Sequence, residues 1–441
     1  MLRTIDLRGR ALTPAELLAT VPRATSAFDA ALASAAAIVA DVAARGETAL
    51  REQAAQFDGA DGHDIRVPPA HLEDALASLD PDVRAALEEA ITRVRHASSA
   101  QVPPPAVTEL EPGARVLQRW QPVRRVGVYV PGGKAVYPSS VVMNVVPAQV
   151  AGVSQIALAS PPQRAHDGRV HPVILAAAHL LGIDEVYAMG GAGAIGAFAY
   201  GVETLGLSPV DVVTGPGNNY VAGAKRAVAG LVGTDAEAGA TEILVVADAS
   251  ADPRLVAADL ISQAEHDEQA AAVLVTDSAE LATAVASEIA VRAGATRHAE
   301  RVAVSLAGPQ SAIVLVDDIA TATAFSNAYA PEHLELQLAD PRPADFVHAG
   351  AVFVGPDSPV SLGDYLAGSN HVLPTGGQAR YSAGLSAMTF LRPQQVIEYD
   401  RAALARVRDA IVTLAEAEQL PAHGEAVTAR FAAPLPQGPE S

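Results

Sequence analysis

The 441-residue chain contains no cysteine. This absence excludes disulfides, thiolate metal sites, iron–sulfur clusters and covalent thiol catalysis together. Any bound metal must therefore be held by histidine, carboxylate or amide oxygen. Lysine is nearly as scarce: Lys134 and Lys225 are the only two, so a lysine base or Schiff base has just those candidates. Basic residues are outnumbered by acidic ones, 30 to 50, giving a formal net charge of −20. Such a balance opposes attraction to nucleic acid or an anionic membrane and favours small-molecule chemistry. Long apolar runs are missing as well; Val141 to Val146 and Ile243 to Ala247 fall far short of the ~20 residues a bilayer-crossing helix needs. The opening MLRTIDLRGRALTPAELL builds no apolar segment ahead of a small-residue cleavage site, so a cytoplasmic protein is expected.

Half of the residues are hydrophobic, and the length suffices for two or more well-buried cores. Helices are expected in the first hundred residues: Ala27 to Arg45 with Ser26 as candidate N-cap and Gly46 as stop, Glu47 to Phe57, and Pro81 to Ala97. The proline-rich passage Val102 to Pro112 marks a hinge or linker. From Val126 onward short β-branched runs alternate with helical stretches. One series of strands is expected at Val126 to Val130, Gln155 to Ala159, Glu185 to Met189 and Val210 to Thr214. A second comprises Thr241 to Ala247, Ala271 to Thr276, Ala312 to Val316, Leu334 to Leu338 and Ala351 to Val354. Alternation of this kind indicates an α/β fold with two Rossmann-like lobes built on parallel sheets, with a site between them and helical N-terminal and C-terminal extensions. After Arg392 the chain reads as helical, from Arg401 to Glu418, and ends in a loose tail.

Three groups of residues carry chemistry. In DLISQAEHDE, Asp259 to Glu268, Gln263 and His266 are three apart and share a helix face, with Leu255, Val256, Leu260 and Ile261 anchoring the helix. They are a candidate metal pair, or a histidine serving the helix dipole. Adjacent Glu332 and His333 offer two bases of different strength at the start of a strand. Strand neighbours point to opposite faces, so they serve one site only if the segment is irregular; otherwise they are a solvated turn. In the loop from Gly363 to Gly377, Asp364 is a hard oxygen ligand or a surface carboxylate, and His423 adds an imidazole near the C-terminal helices. Glycines close three strand ends: Pro131-Gly132-Gly133, Gly190-Gly191-Ala192-Gly193 and Gly215-Pro216-Gly217-Asn218. Gly191, Gly193 and Gly196 fit G-x-G-x-x-G, with Asp211 at the distance of a ribose-binding acid; phosphate approach and simple tight turns both explain these glycines.

Taken as an ordered set, GVYVPGG, GPGNNYVAGAKR, EILVVAD, DLISQAEHD, APEHLEL and GDYLAGSNHVLPTGGQARY resemble the histidinol dehydrogenase family, from the N-terminal helices to about Arg430. The resemblance implies NAD-dependent oxidation of L-histidinol to L-histidine through histidinal, in a homodimer with shared active sites and one zinc ion (Zn2+) per subunit. It puts zinc ligands on Gln263, His266, Asp364 and His423, the last from the partner subunit. Acid–base residues fall on Glu332 and His333. Substrate contacts fall on Thr241, His333, His371 and Glu418, together with the metal ligands. Cofactor contacts fall on Tyr129, Gly193 and Asn218. Two positions depart from the family: Gly193 stands where many relatives carry glutamine, and Thr241 where many carry serine. The expected division is residues 1–25 as an arm, 26–125 with 242–390 as the larger lobe, 126–241 as the NAD-binding lobe, 391–430 as a helical segment on the partner, and 431–441 as the tail. A zinc hydrolase using Glu332 to activate water, and a two-lobed binding protein without chemistry, are the rival readings.

Overall fold

The computed structural model describes residues 2–23, 28–132, 135–236 and 239–432. Ser26 and Ala27, Gly133 and Lys134, and most of the expected tail lie outside the described residues. The chain divides into two units, one formed by residues 1–102 and 122–390 and the other by residues 103–121 and 391–441.

The first unit holds two parallel sheets. One has six strands in the order Arg3–Asp6, Ala312–Leu315, Ala271–Thr276, Glu242–Ala247, His333–Gln337 and Ala351–Val354. The chain adds strands to one side of Glu242–Ala247 and then to the other, so the topological switch point lies between that strand and His333–Gln337. The inner strands are buried throughout because helices cover both faces, which explains why they read as unbroken apolar runs rather than alternating ones. The other sheet has five strands in the order Val186–Ala188, Gln155–Ser160, Arg125–Tyr129, Val212–Thr214 and Gly233–Thr234. All nine strands expected from the β-branched runs are present, with no end displaced by more than two residues. Among the described residues no helix is long and apolar enough to cross a membrane.

Two expectations change. The sequence places the helices before residue 100 in the larger lobe. Instead Phe28–Arg45 packs against the helices Gly191–Tyr200 and Asn219–Val228 of the glycine-rich lobe, and Ala35, Val39, Val42 and Leu50 share one core with Tyr129, Ile195 and Phe198. The alanine-rich faces that made these helices legible allow close approach to the small residues of those partners: only 3.3 Å would separate a Cβ at Gly196 from the Val39 backbone. The stretch expected as an arm, residues 1–25, also contains Arg3–Asp6, an edge strand of the six-stranded sheet.

The second unit carries a three-stranded sheet in the order Leu391–Tyr399, Ala114–Pro122 and Ala106–Glu111, followed by the helices Arg401–Ala417 and Pro421–Thr428. The supposed linker thus contains a strand, and another precedes the C-terminal helices. Their sequence signal is weak because most side chains of these strands are exposed or only half buried, so no apolar run marks them.

Candidate active site

At the amino ends of two neighbouring strands, Glu242–Ala247 and His333–Gln337, a buried polar cluster forms. Thr241 and Glu332 immediately precede these strands. The helix Pro253–Ala264 leaves the carboxyl end of the first strand and runs back, so its last turn brings Gln263 to the same edge. The Thr241 hydroxyl donates to Glu332 Oε2 at 2.6 Å and accepts from Gln263 Nε2 at 2.8 Å. The Glu242 amide adds a second donor to Glu332 Oε2 at 2.8 Å.

The side chains of Glu332 and His333 lie together, with Glu332 Oε2 3.5 Å from His333 Nδ1. The irregularity that this requires lies just upstream. Ala330 caps the helix Ile319–Tyr329 with φ 51°, ψ 69°, a left-handed conformation that is costly for a residue with a Cβ. Pro331 follows, and only His333 enters the strand.

His333 Nδ1 lies 3.1 Å from the Glu242 carbonyl oxygen. A carbonyl only accepts, so Nδ1 carries the proton and Nε2 keeps its lone pair. Burial lowers the pKa of His333, with Asp364 opposing that shift, so the imidazole is held neutral and ready to accept a proton. Burial has the opposite effect on Glu332, pushing its carboxyl up to about 8 despite the donors on Oε2. Two groups with separated proton affinities are thus placed side by side, the arrangement that acid–base chemistry near neutrality requires.

His266 Nδ1 is 3.3 Å from the Ser262 carbonyl oxygen, so its Nε2 is likewise an acceptor. Among the described residues the buried Gln263 Oε1 has no hydrogen-bond partner. His371 donates from Nδ1 to the Asp364 carbonyl at 2.9 Å and accepts from the Ser140 hydroxyl at 3.2 Å. Ser140 belongs to the helix Pro138–Ala151 of the glycine-rich lobe, so this bond joins the lobes at the site. Burial lowers the His371 pKa, with the Asp364 carboxylate opposing that shift. Among the described residues no group of three or more His, Cys, Asp or Glu side chains could hold a metal ion. Gln263, His266 and Asp364 include only two residues of those types. An orphaned amide oxygen and an imidazole with its distal nitrogen fixed to a carbonyl are nonetheless the donors a cysteine-free metal site uses.

The second unit carries Glu418, at the end of the helix Arg401–Ala417, and His423, on Pro421–Thr428; both are exposed on their own chain.

The expected cofactor positions sit at the carboxyl ends of the five-stranded sheet. Tyr129 ends its strand, is buried, and accepts at its hydroxyl from the Gly191 amide at 3.1 Å; burial raises it to about 12. Gly215, at φ 123°, packs so closely on Tyr129 that a Cβ would fall 1.9 Å from its carbonyl oxygen. Asn218 caps the helix Asn219–Val228 by accepting from Tyr220 and Val221. Gly193 is buried on the first turn of Gly191–Tyr200. Asp211 is misplaced for a ribose: its carboxylate binds the amides of Arg124 and Arg125 at the amino end of the sheet, whereas nucleotides bind at the carboxyl ends. Lys225 is no free base either, being buried in an ion pair with Asp235 and bonded to the Gly215 carbonyl.

Sequence reasoning missed Glu242, Arg23 and Ser140. A carboxylate opening the otherwise apolar EILVVA strand was a usable signal for the first. Arg23 and Ser140 carry none, since their partners are remote in sequence.

The histidinol dehydrogenase family model matches residues 21–431. A histidinol dehydrogenase from Leifsonia xyli is 65% identical over 432 residues, covering 98% of this chain and 99% of the relative. That from Mycobacterium bovis is 58% identical over 436 residues, covering 98% of each. A crystal structure of histidinol dehydrogenase from Elizabethkingia anophelis superposes with a TM-score of 0.89 at 32% identity, covering 98% of both chains. With this likeness running nearly the length of the chain, this protein belongs to the histidinol dehydrogenase family.

Proposed function

We propose that the protein oxidises L-histidinol to L-histidine with NAD, in two hydride-transfer steps through L-histidinal, as a zinc-dependent cytoplasmic homodimer. The observation that carries this reading is the pairing of buried Glu332 with neutral His333, 3.5 Å apart, beside the orphaned Gln263 oxygen. His333 Nε2 accepts the alcohol proton as the first hydride leaves. Glu332, once ionised, takes a proton from water as the water attacks the retained aldehyde, while His333 returns its proton to the former carbonyl oxygen and is neutral again. His333 then removes a proton from the hydrate as the second hydride departs. With no cysteine available, a hydrate rather than a thiohemiacetal connects the two steps.

Gln263, His266 and Asp364, with His423 of the partner subunit, would hold zinc, which supplies a Lewis-acid anchor that orients the substrate imidazole and amine. Thr241, His371 and Glu418 complete the substrate site. Tyr129, Asn218 and the glycine turns would hold NAD, the hydride acceptor, and Gly193 contributes backbone there without a side-chain contact. The exposure of Glu418 and His423 on their own chain is consistent with service to another subunit.

The test is the number of NADH molecules formed per L-histidinol consumed, before and after chelation. Two per substrate, lost on chelation and restored by zinc, is the expected result. One would leave a simple alcohol dehydrogenase, and none would return the zinc hydrolase or binding-protein reading.

A further inference from the structure

The Glu242 peptide flanks both members of the acid–base pair: its N–H donates to Glu332 Oε2 at 2.8 Å, and its C=O accepts from His333 Nδ1 at 3.1 Å. Where this peptide sits therefore decides where both reacting side chains sit. Its own side chain is buried, an expensive place for a carboxylate without a cation. The cation is Arg23, which donates from Nε to Glu242 Oε1 at 2.6 Å and from Nη2 to Oε2 at 3.3 Å.

The same guanidinium does more. Its Nη2 also donates to the Tyr329 carbonyl and, at 3.3 Å, to the carbonyl of the left-handed Ala330. Its plane lies over the Tyr329 ring, 4.1 Å from the centroid. Glu242 Oε1 also accepts from the Gly376 amide at 3.3 Å, from the loop that also carries His371. One planar fork thus fixes the strand end bearing Thr241 and Glu242, and the strained turn leading into Glu332 and His333. A lysine, with one rotatable point charge, cannot reproduce those simultaneous contacts.

We propose that Arg23 is a positioning residue for the reaction, acting through Glu242 and the Ala330 carbonyl to hold Glu332 and His333 in register. This rests on the acid–base roles assigned above. It gives the segment before residue 28 a catalytic consequence 309 positions away in sequence from Glu332, although Arg23 has no substrate contact in the mechanism.

The experiment uses the full chain with zinc and compares Arg23→Met, Arg23→Lys and the double variant Arg23→Met/Glu242→Gln. The double variant removes both charges, so it escapes the stranded carboxylate that could unfold Arg23→Met alone. For Tm, the double variant is expected near wild type. For kcat, Arg23→Met and the double variant are expected to fall on the order of 10²-fold, the scale of a misplaced reacting group. Arg23→Lys is expected to lie between them and wild type, and KM for NAD should move by no more than about twofold in all three. A folded double variant with wild-type kcat would overturn the proposal, as would a drop in kcat matched by an equal rise in KM for NAD. Glu332→Gln measured alongside separates the two levels of argument. If it is slow while the Arg23 variants are not, only the positioning role falls; if it too turns over at the wild-type rate, the acid–base assignment falls first.

Discussion

The Thr241 hydroxyl lies 2.6 Å from Glu332 Oε2, and its direction is fixed because its lone pair is taken by the Gln263 amide. Thr241 therefore couples the helix end bearing Gln263 to the strand start bearing Glu332. Thr241→Val should leave Gln263 Nε2 without this acceptor and remove one of the two donors on Oε2. The expected cost is about 1–3 kcal/mol of stability, together with a lower kcat. Thr241→Ser keeps the hydroxyl, and its kcat should stay within about threefold of wild type. Thermal melts and steady-state rates of the two variants check this, and equal behaviour of Val and Ser would refute it.

Burial of Glu332 has a consequence for stability that does not depend on turnover. Its carboxyl titrates at 4.5 when unperturbed and at about 8 in the folded protein. Between those values the folded state holds a proton that the unfolded state has lost, so this group's contribution to stability falls as pH rises from 4.5 and stops falling above about 8. Glu332→Gln has no proton to lose. Its Tm minus that of wild type should grow from about pH 5 to about pH 9, and a difference that is flat or shrinks would show that the carboxyl is not held protonated.

Two glycines at the carboxyl end of the five-stranded sheet should differ sharply in their tolerance of alanine. A Cβ at Gly193 would meet Gln53 Oε1 at 2.1 Å, but that atom ends a flexible side chain and can swing away. A Cβ at Gly215 would meet the Tyr129 backbone at 1.9 Å, with φ at 123°, and the peptide is also clamped by Lys225 and Asp235. Gly193→Ala is expected to cost under about 1 kcal/mol, and Gly215→Ala more than about 3 kcal/mol with severe loss of NAD affinity. Denaturant melts and NAD titrations decide between these.

Much of the fold was legible because buried parallel strands are written as apolar runs, as in Ala271–Thr276 and Glu242–Ala247. The strands of the second unit were not, since Leu391–Tyr399 has no buried residue to impose a pattern. Gln263 and His266 could be paired from helical spacing alone. Glu332 and His333 could not, because a regular strand would part them; the left-handed Ala330 that breaks the regularity has no glycine or asparagine to announce it. Arg23 and Glu242 meet across 219 residues of sequence, a contact that only tertiary structure can bring about.

The Gln263 side chain has one end satisfied and one end bare. Its Nε2 is committed to Thr241 and its Oε1, deeply buried, lacks a hydrogen-bond partner among the described residues. Leaving such an oxygen bare costs about 1–3 kcal/mol, a cost that a cation would remove. Zinc binding to the folded state alone stabilises it by mass action, at about 2.7 kcal/mol when free zinc is 100 times Kd. Chelation should therefore lower the wild-type Tm and added zinc restore it. Gln263→Met has no oxygen to orphan, so its metal-free form should melt at or above the metal-free wild type while its zinc response shrinks. Metal analysis after dialysis should give one zinc per wild-type chain and less for the variant. A wild-type protein that retains no zinc and whose Tm ignores it would refute the metal assignment while leaving the Glu332–His333 pair intact.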